Sequence, residues 1–164
     1  MRIYLDMDGV LCNFERRYFE LYEELPGSMR DRKMFNKNWD DFVLTKQFEK
    51  LDWWPGGKEL VEYVNSLPNV TVEILSSSGG EKYHAEVTQQ KKNWLESNGL
   101  NFEANIVSGR KKKAFYASPD SILIDDTYDV IQAFNDSGGI GIHHKEIGNT
   151  LMLLKRIVDK QLYK

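Results

Sequence analysis

Short apolar runs, each ending in polar residues, alternate with longer stretches of helical spacing, and this alternation restricts the fold more than any other feature. Residues 2–5 run straight into Asp6, and residues 70–75 end at Ser76. Residues 105–107 end at Ser108, residues 122–124 at Asp125 and Asp126, and residues 140–142 at His143 and His144. Between them, residues 57–67 place Leu60, Val61, Val64 and Leu67 on one helical face and stop at Pro68. Residues 83–98 carry Val87, Trp94 and Leu95 and stop at Asn98-Gly99. Residues 129–136 carry Val130, Ile131 and Phe134, and residues 147–162 carry Leu151, Leu154, Ile157 and Val158. Buried parallel strands joined by crossover helices produce this pattern. The expected class is therefore α/β, three layers around a central parallel sheet.

Residues 15–54 break the alternation. They are rich in charged and aromatic residues, including Phe19, Tyr22, Phe35, Trp39, Phe42, Phe48, Trp53 and Trp54. An insert directly after the first strand sits at the carboxyl end of the sheet, where open α/β sheets bind ligands. It reads as a small helical cap over a site, with residues 1–14 and 55–164 forming the core. Most of its aromatics are expected to fill the cap's own interior.

Several function classes are disfavoured. A length of 164 residues suits one compact domain. The formal net charge of -3 gives no general attraction to nucleic acid or to anionic membrane. No run approaches the ~18 apolar residues of a membrane span. Carboxylates at Asp6 and Asp8 arrive too early for a signal peptide. The lone Cys12 allows no internal disulfide and no cysteine-based zinc site, and reads as an inert, buried thiol. Together these point to a cytoplasmic protein, with a homodimer left open. Adjacent side chains on an extended segment point apart, so His143 and His144 read as surface or loop residues, not a metal pair.

The chemistry concentrates at strand ends. Asp6-Met7-Asp8-Gly9-Val10 offers two carboxylates that converge if the chain bends after Asp6, with Gly9 permitting the turn. Close carboxylates repel unless a cation lies between them, and Mg²⁺ suits oxygen donors. Asp125 and Asp126 form a second acidic pair at the tip of an apolar strand, where charge is costly without compensation. Ser76, Ser77 and Ser78 with Gly79 and Gly80 make a polar, flexible tip able to cradle a phosphate. Arg110-Lys111-Lys112-Lys113 is a basic run from which one lysine could reach inward while the others face water.

In this order these features resemble the haloacid dehalogenase superfamily of phosphohydrolases. Its pattern is DxDx[TV] after the first strand, a Ser or Thr after the second, then a lysine, then an acidic pair. The resemblance implies a Rossmann-like core with Asp6 as nucleophile and Asp8 as general acid and base. It implies Ser76, with Ser77 beside it, as the phosphate-binding hydroxyl. Lys113 matches the lysine, with Lys111 and Lys112 as alternatives. A Mg²⁺ site would be built from Asp6, Asp126, its neighbour Asp125 and the backbone carbonyl of Asp8. Residues 6–15, Pro55-Gly56, residues 123–126 and residues 138–142 are similar to the 5'(3')-deoxyribonucleotidase group. In that group an aromatic matching Phe14 lies against the nucleobase.

The resemblance thus implies a magnesium-dependent phosphomonoesterase acting on a small-molecule substrate, a (deoxy)nucleoside monophosphate. Two other readings stay open. One is a phosphatase for another small phosphoester or a nucleic acid 3'-phosphate, which the basic run favours. The other is a noncatalytic nucleotide-binding module.

Overall fold

The computed structural model describes residues 1–28 and 31–162. Strands β1 (Arg2–Leu5), β2 (Thr71–Ser77), β3 (Glu103–Val107), β4 (Ser121–Asp125) and β5 (Ile140–His143) form a parallel sheet in the order β3-β2-β1-β4-β5. The helices are α1 (Phe14–Tyr22), α2 (Arg32–Leu44), α3 (Gly57–Ser66), α4 (His84–Ser97), α5 (Tyr128–Asp136) and α6 (Ile147–Leu162). Tighter 3₁₀ segments cover Pro26–Ser28, Gln47–Lys50 and Arg110–Tyr116. No described helix is long and apolar enough to cross a membrane.

Alternation along the strands builds the three layers. Ile3 and Leu5 of β1, with Ile122 and Ile124 of β4, face a cluster that includes Leu60 and Val64 of α3, Val87 and Trp94 of α4, and Leu154 of α6. The intervening Tyr4 and Leu123 face the other side, against Val130, Ile131 and Phe134 of α5. Successive strand residues point to opposite faces, so the middle of a strand covered on both sides, as in β1 and β4, is apolar throughout.

The chain between β1 and α3 is helical and rests on α4. Phe42, Val43 and Phe48 belong to the same apolar cluster as Val87 and Trp94. The buried Gln90 fixes their backbone: its Nε2 donates to the Val43 carbonyl at 2.8 Å, and its Oε1 accepts from the Phe48 N–H at 3.3 Å. The Trp94 indole donates to the Leu51 carbonyl at 2.8 Å. A buried amide satisfied on both sides fixes one docking geometry better than apolar contact alone.

The expected strands all form, several of them longer than their apolar runs. The extension of β2 past Leu75 corrects the reading of the serine tip. Ser76 and Ser77 lie within β2, paired with Ile106 and Val107 of β3, because the backbone ladder continues after the apolar run ends. Ser78 follows the strand, and Gly79 and Gly80, at positive φ, begin the turn toward α4. His144 is also corrected. It is buried, not a surface residue, and its Nδ1 lies 2.7 Å from the Thr150 hydroxyl at the start of α6. Burial lowers its pKa and so favours the neutral ring.

Candidate active site

Strand register brings the acidic residues together. Leu5 of β1 is level with Ile74 of β2 and Ile124 of β4, so the next residues, Asp6 and Asp125, emerge side by side. The Asp6 N–H still donates to the Ile124 carbonyl at 3.0 Å. β1 lies where the strand order departs in both directions, the position at which open parallel sheets form a crevice. A cleft of about 430 Å³ opens there, bordered by Asp6, Asp8, Ser76, Lys113 and Asp126, with Phe14 and Trp39 from the helical segment.

The loop after β1 folds around a single acceptor. The Met7 carbonyl accepts the N–H groups of Val10, Leu11 and Cys12 at 3.1, 2.8 and 2.9 Å. Gly9 takes φ +82°, and a Cβ there would stand 2.1 Å from Asp126 Oδ2. The bend and the close approach both require glycine. They place Asp8 in the same cleft as Asp6, the convergence expected from the sequence. Cys12 is buried and its thiol pKa is pushed well up by burial, which keeps it protonated.

Lys113 is the lysine of the basic run that turns inward. It is 3% exposed, and its Nζ donates to Asp125 Oδ2 at 2.6 Å and contacts Asp6 Oδ1 at 3.0 Å. Burial works to lower its pKa, but the facing carboxylates of Asp6 and Asp125 outweigh this and raise it. Its neighbours are engaged elsewhere. Arg110 pairs with Asp129 at 3.0 Å, and Lys112 pairs with Glu81 at 3.2 Å and donates to the Ser108 hydroxyl. Lys111 is exposed.

Asp6 Oδ1 also accepts the Met7 N–H at 2.8 Å, whereas Asp6 Oδ2 accepts no hydrogen bond among the described residues. Asp125 is fully buried, with Oδ1 accepting from the Thr127 N–H at 2.9 Å and Oδ2 held by Lys113. Asp126 reaches the cleft, and its backbone carbonyl contacts His143 Nε2 at 2.9 Å. Desolvation, followed by the charge of Asp6, raises the pKa of both Asp125 and Asp126. Asp8 is also raised, by desolvation first; the nearby Lys91 opposes the shift and Asp6 adds to it.

The sequence reading did not single out Lys91. It lies on α4, 1% exposed, and its Nζ donates to Asp8 Oδ2 at 3.1 Å, the Ser76 hydroxyl at 2.7 Å and the Ser77 carbonyl at 2.9 Å. One sequence signal could have revealed it. Lys91 is four residues after Val87 and three before Trp94, so helical spacing puts a charge in the middle of an apolar face.

The donor set fits a hard divalent cation. Carboxylate oxygens of Asp6, Asp125 and Asp126 lie within 4.8 Å of one another. Around the cleft, the four carboxylates of Asp6, Asp8, Asp125 and Asp126 meet the two ammonium groups of Lys91 and Lys113. The carboxylates outnumber the ammonium groups, which suits a divalent ion such as Mg²⁺ that prefers oxygen donors. Substituting Gly9→Ala tests this arrangement, because the new methyl group must displace the Asp126 carboxylate. The strained left-handed backbone should cost about 1–2 kcal/mol in urea unfolding. Calorimetric titration with Mg²⁺ should show clearly weaker binding than in the unsubstituted protein.

The aromatics divide between packing and cleft. Phe42 and Phe48 are buried, and Phe19 is 51% exposed on the outer surface. Phe14 stacks on Phe48, with centroids 5.6 Å apart and planes 6° from parallel, and also borders the cleft. Trp39 borders it too and rests on Gly79, where a Cβ would stand 2.8 Å from its ring.

Solved structures share this architecture. One is a haloacid dehalogenase-like family hydrolase from Streptococcus pneumoniae, with TM-score 0.53 and 13% identity over 85% of this chain and 82% of that one. Another is a hydrolase from Streptococcus pneumoniae TIGR4, with TM-score 0.51 and 12% identity over 94% of this chain and 97% of that one. No protein-family model and no curated protein matches the chain. At these identities the likeness defines the fold. The chain is an α/β protein with the Rossmann-like parallel sheet found in haloacid dehalogenase-like hydrolases.

Proposed function

We propose that the protein is a magnesium-dependent phosphomonoesterase of the haloacid dehalogenase type, acting through an aspartyl-phosphate on Asp6. The observation that carries this reading is the convergence of Asp6, Asp125 and Asp126, with Lys113 bonded to the first two and Ser76 lining the same cleft. Asp6, Asp126 and the Asp8 backbone carbonyl would hold Mg²⁺. Bound there, the ion supplies Lewis-acid polarisation of the phosphate and offsets its repulsion by Asp6.

The chain's own residues carry the remaining steps. Asp6 Oδ2 attacks phosphorus, and the bond to the ester oxygen breaks as the new one forms. Asp8 gives its proton to the departing oxygen, then accepts one from the water that hydrolyses the aspartyl-phosphate. Lys113 and Ser76 bind the phosphoryl oxygens, and their hold strengthens as negative charge spreads over them. Asp125 keeps Lys113 aimed at Asp6.

A nucleoside monophosphate is the proposed substrate. Phe14 and Trp39 give the cleft a partly aromatic wall, and stacking on an aromatic is worth ~1–3 kcal/mol per base in nucleic-acid binders. The ion pairs of Arg110 and Lys112 count against a nucleic acid substrate, since most of the basic run is already engaged. Phosphate release should be measured with mononucleotides, sugar phosphates and a 3'-phosphorylated oligonucleotide. Release is expected to require Mg²⁺, to stop on chelation and to be fastest with mononucleotides. Nucleotide binding without release from any of them would replace this reading with a noncatalytic binding module.

A further inference from the structure

The chemistry above gives no role to Lys91, the second buried ammonium of the site. Its apolar neighbours on α4, among them Val87, Trp94 and Leu95, do not require a cation, and a methionine would fill similar space. An ammonium has three donors and no acceptor, and Asp8 Oδ2, the Ser76 hydroxyl and the Ser77 carbonyl engage all three. Two consequences follow from that direction of donation. The Ser76 oxygen accepts from Lys91, so its own proton must point elsewhere, leaving it available to a phosphoryl oxygen in the cleft. Asp8 is held through Oδ2, while Asp8 Oδ1 is buried with no hydrogen-bond partner. Oδ1 is closed to the cleft, so the oxygen that can pass a proton to substrate is Oδ2, and the Lys91 N–H fixes which side of it is left for that proton.

We propose that Lys91 is a positioning residue that sets the direction of proton donation at Asp8 and Ser76 together, linking protonation of the leaving group to the grip on the phosphoryl group. This rests on the phosphatase reading. Lys91 touches both groups yet is itself saturated, so it acts through them and not on substrate.

The test compares esters that differ in their need for a proton. A mononucleotide releases an alkoxide-like oxygen that must be protonated, whereas p-nitrophenyl phosphate releases a stable phenolate. For Lys91→Met, kcat/KM with the mononucleotide should fall ~10²-fold or more, the scale of general acid help. With p-nitrophenyl phosphate the loss should be at least about tenfold smaller, because only the Ser76 contribution is removed. An equal loss with both esters would show a merely structural role and overturn the assignment. A second comparison holds even if Lys91→Met does not fold. Asp8→Asn with Lys91→Met removes both charges, so no buried ion is left unpaired. Its kcat/KM with the mononucleotide should lie within about tenfold of that of Asp8→Asn alone, the remaining loss being the Ser76 contribution. A further large drop would mean that Lys91 does not act through Asp8. If the unsubstituted protein released phosphate from neither ester, the phosphatase reading would fail and this inference with it. Activity with a uniform Lys91→Met loss removes only the Lys91 assignment.

Discussion

Asp6→Asn is expected to abolish phosphate release while leaving the protein folded. Asparagine keeps the shape of the side chain and a carbonyl oxygen for the Met7 N–H, which now donates to Asp6 Oδ1 at 2.8 Å. Lys113 keeps Asp125 as a partner at 2.6 Å, so no buried ammonium is stranded. A neutral amide, however, is a far poorer nucleophile than a carboxylate. Loss of the nucleophile in a covalent hydrolase removes turnover by orders of magnitude, roughly 10⁴-fold or more. Two measurements check this. Phosphate release from a mononucleotide should fall to background, with circular dichroism unchanged. Acid quenching during turnover of a ³²P-labelled substrate should leave label on the unsubstituted chain and none on Asp6→Asn. Undiminished turnover in the variant would rule out the covalent route.

Much of this site is legible in the sequence because strands display their ends. Asp6, Asp125 and Asp126 each follow an apolar run, and parallel pairing brings such ends to one edge of the sheet. Lys113 required more, since four basic residues stand in a row and only the fold shows which one turns inward. Ser76 was found by position but misjudged in setting: polarity suggested a loop, while the ladder with Ile106 holds it in β2. Tertiary pairing outweighs local composition there. His144 was misjudged in the same way, because its burial depends on Thr150 of α6, a partner that local sequence cannot identify. Lys91 was legible only as an anomaly, a charge on an apolar helix face. Its meaning needed Asp8, which is 83 residues away along the chain.

Lys113→Met should separate stability, activity and cation binding, which a residue of ordinary structural importance would not. The ammonium lies between Asp6 Oδ1 at 3.0 Å and Asp125 Oδ2 at 2.6 Å, in a place almost closed to water. Removing it leaves facing carboxylates without their shared partner, and breaking such a buried pair costs about 3–5 kcal/mol. Urea unfolding in the presence of chelator should register a loss of that order. Turnover should fall steeply as well, because the charge spreading over the phosphoryl oxygens loses its nearest cation. Mg²⁺ binding should change in the opposite direction. Lys113 repels a divalent ion and competes with it for Asp6, so the variant's carboxylates should attract the ion more strongly. Saturating Mg²⁺ should therefore raise the melting temperature of Lys113→Met by more than it raises that of the unsubstituted protein. Equal shifts in the two proteins would mean that Lys113 and the cation do not share Asp6, and the proposed charge balance of the cleft would have to be abandoned.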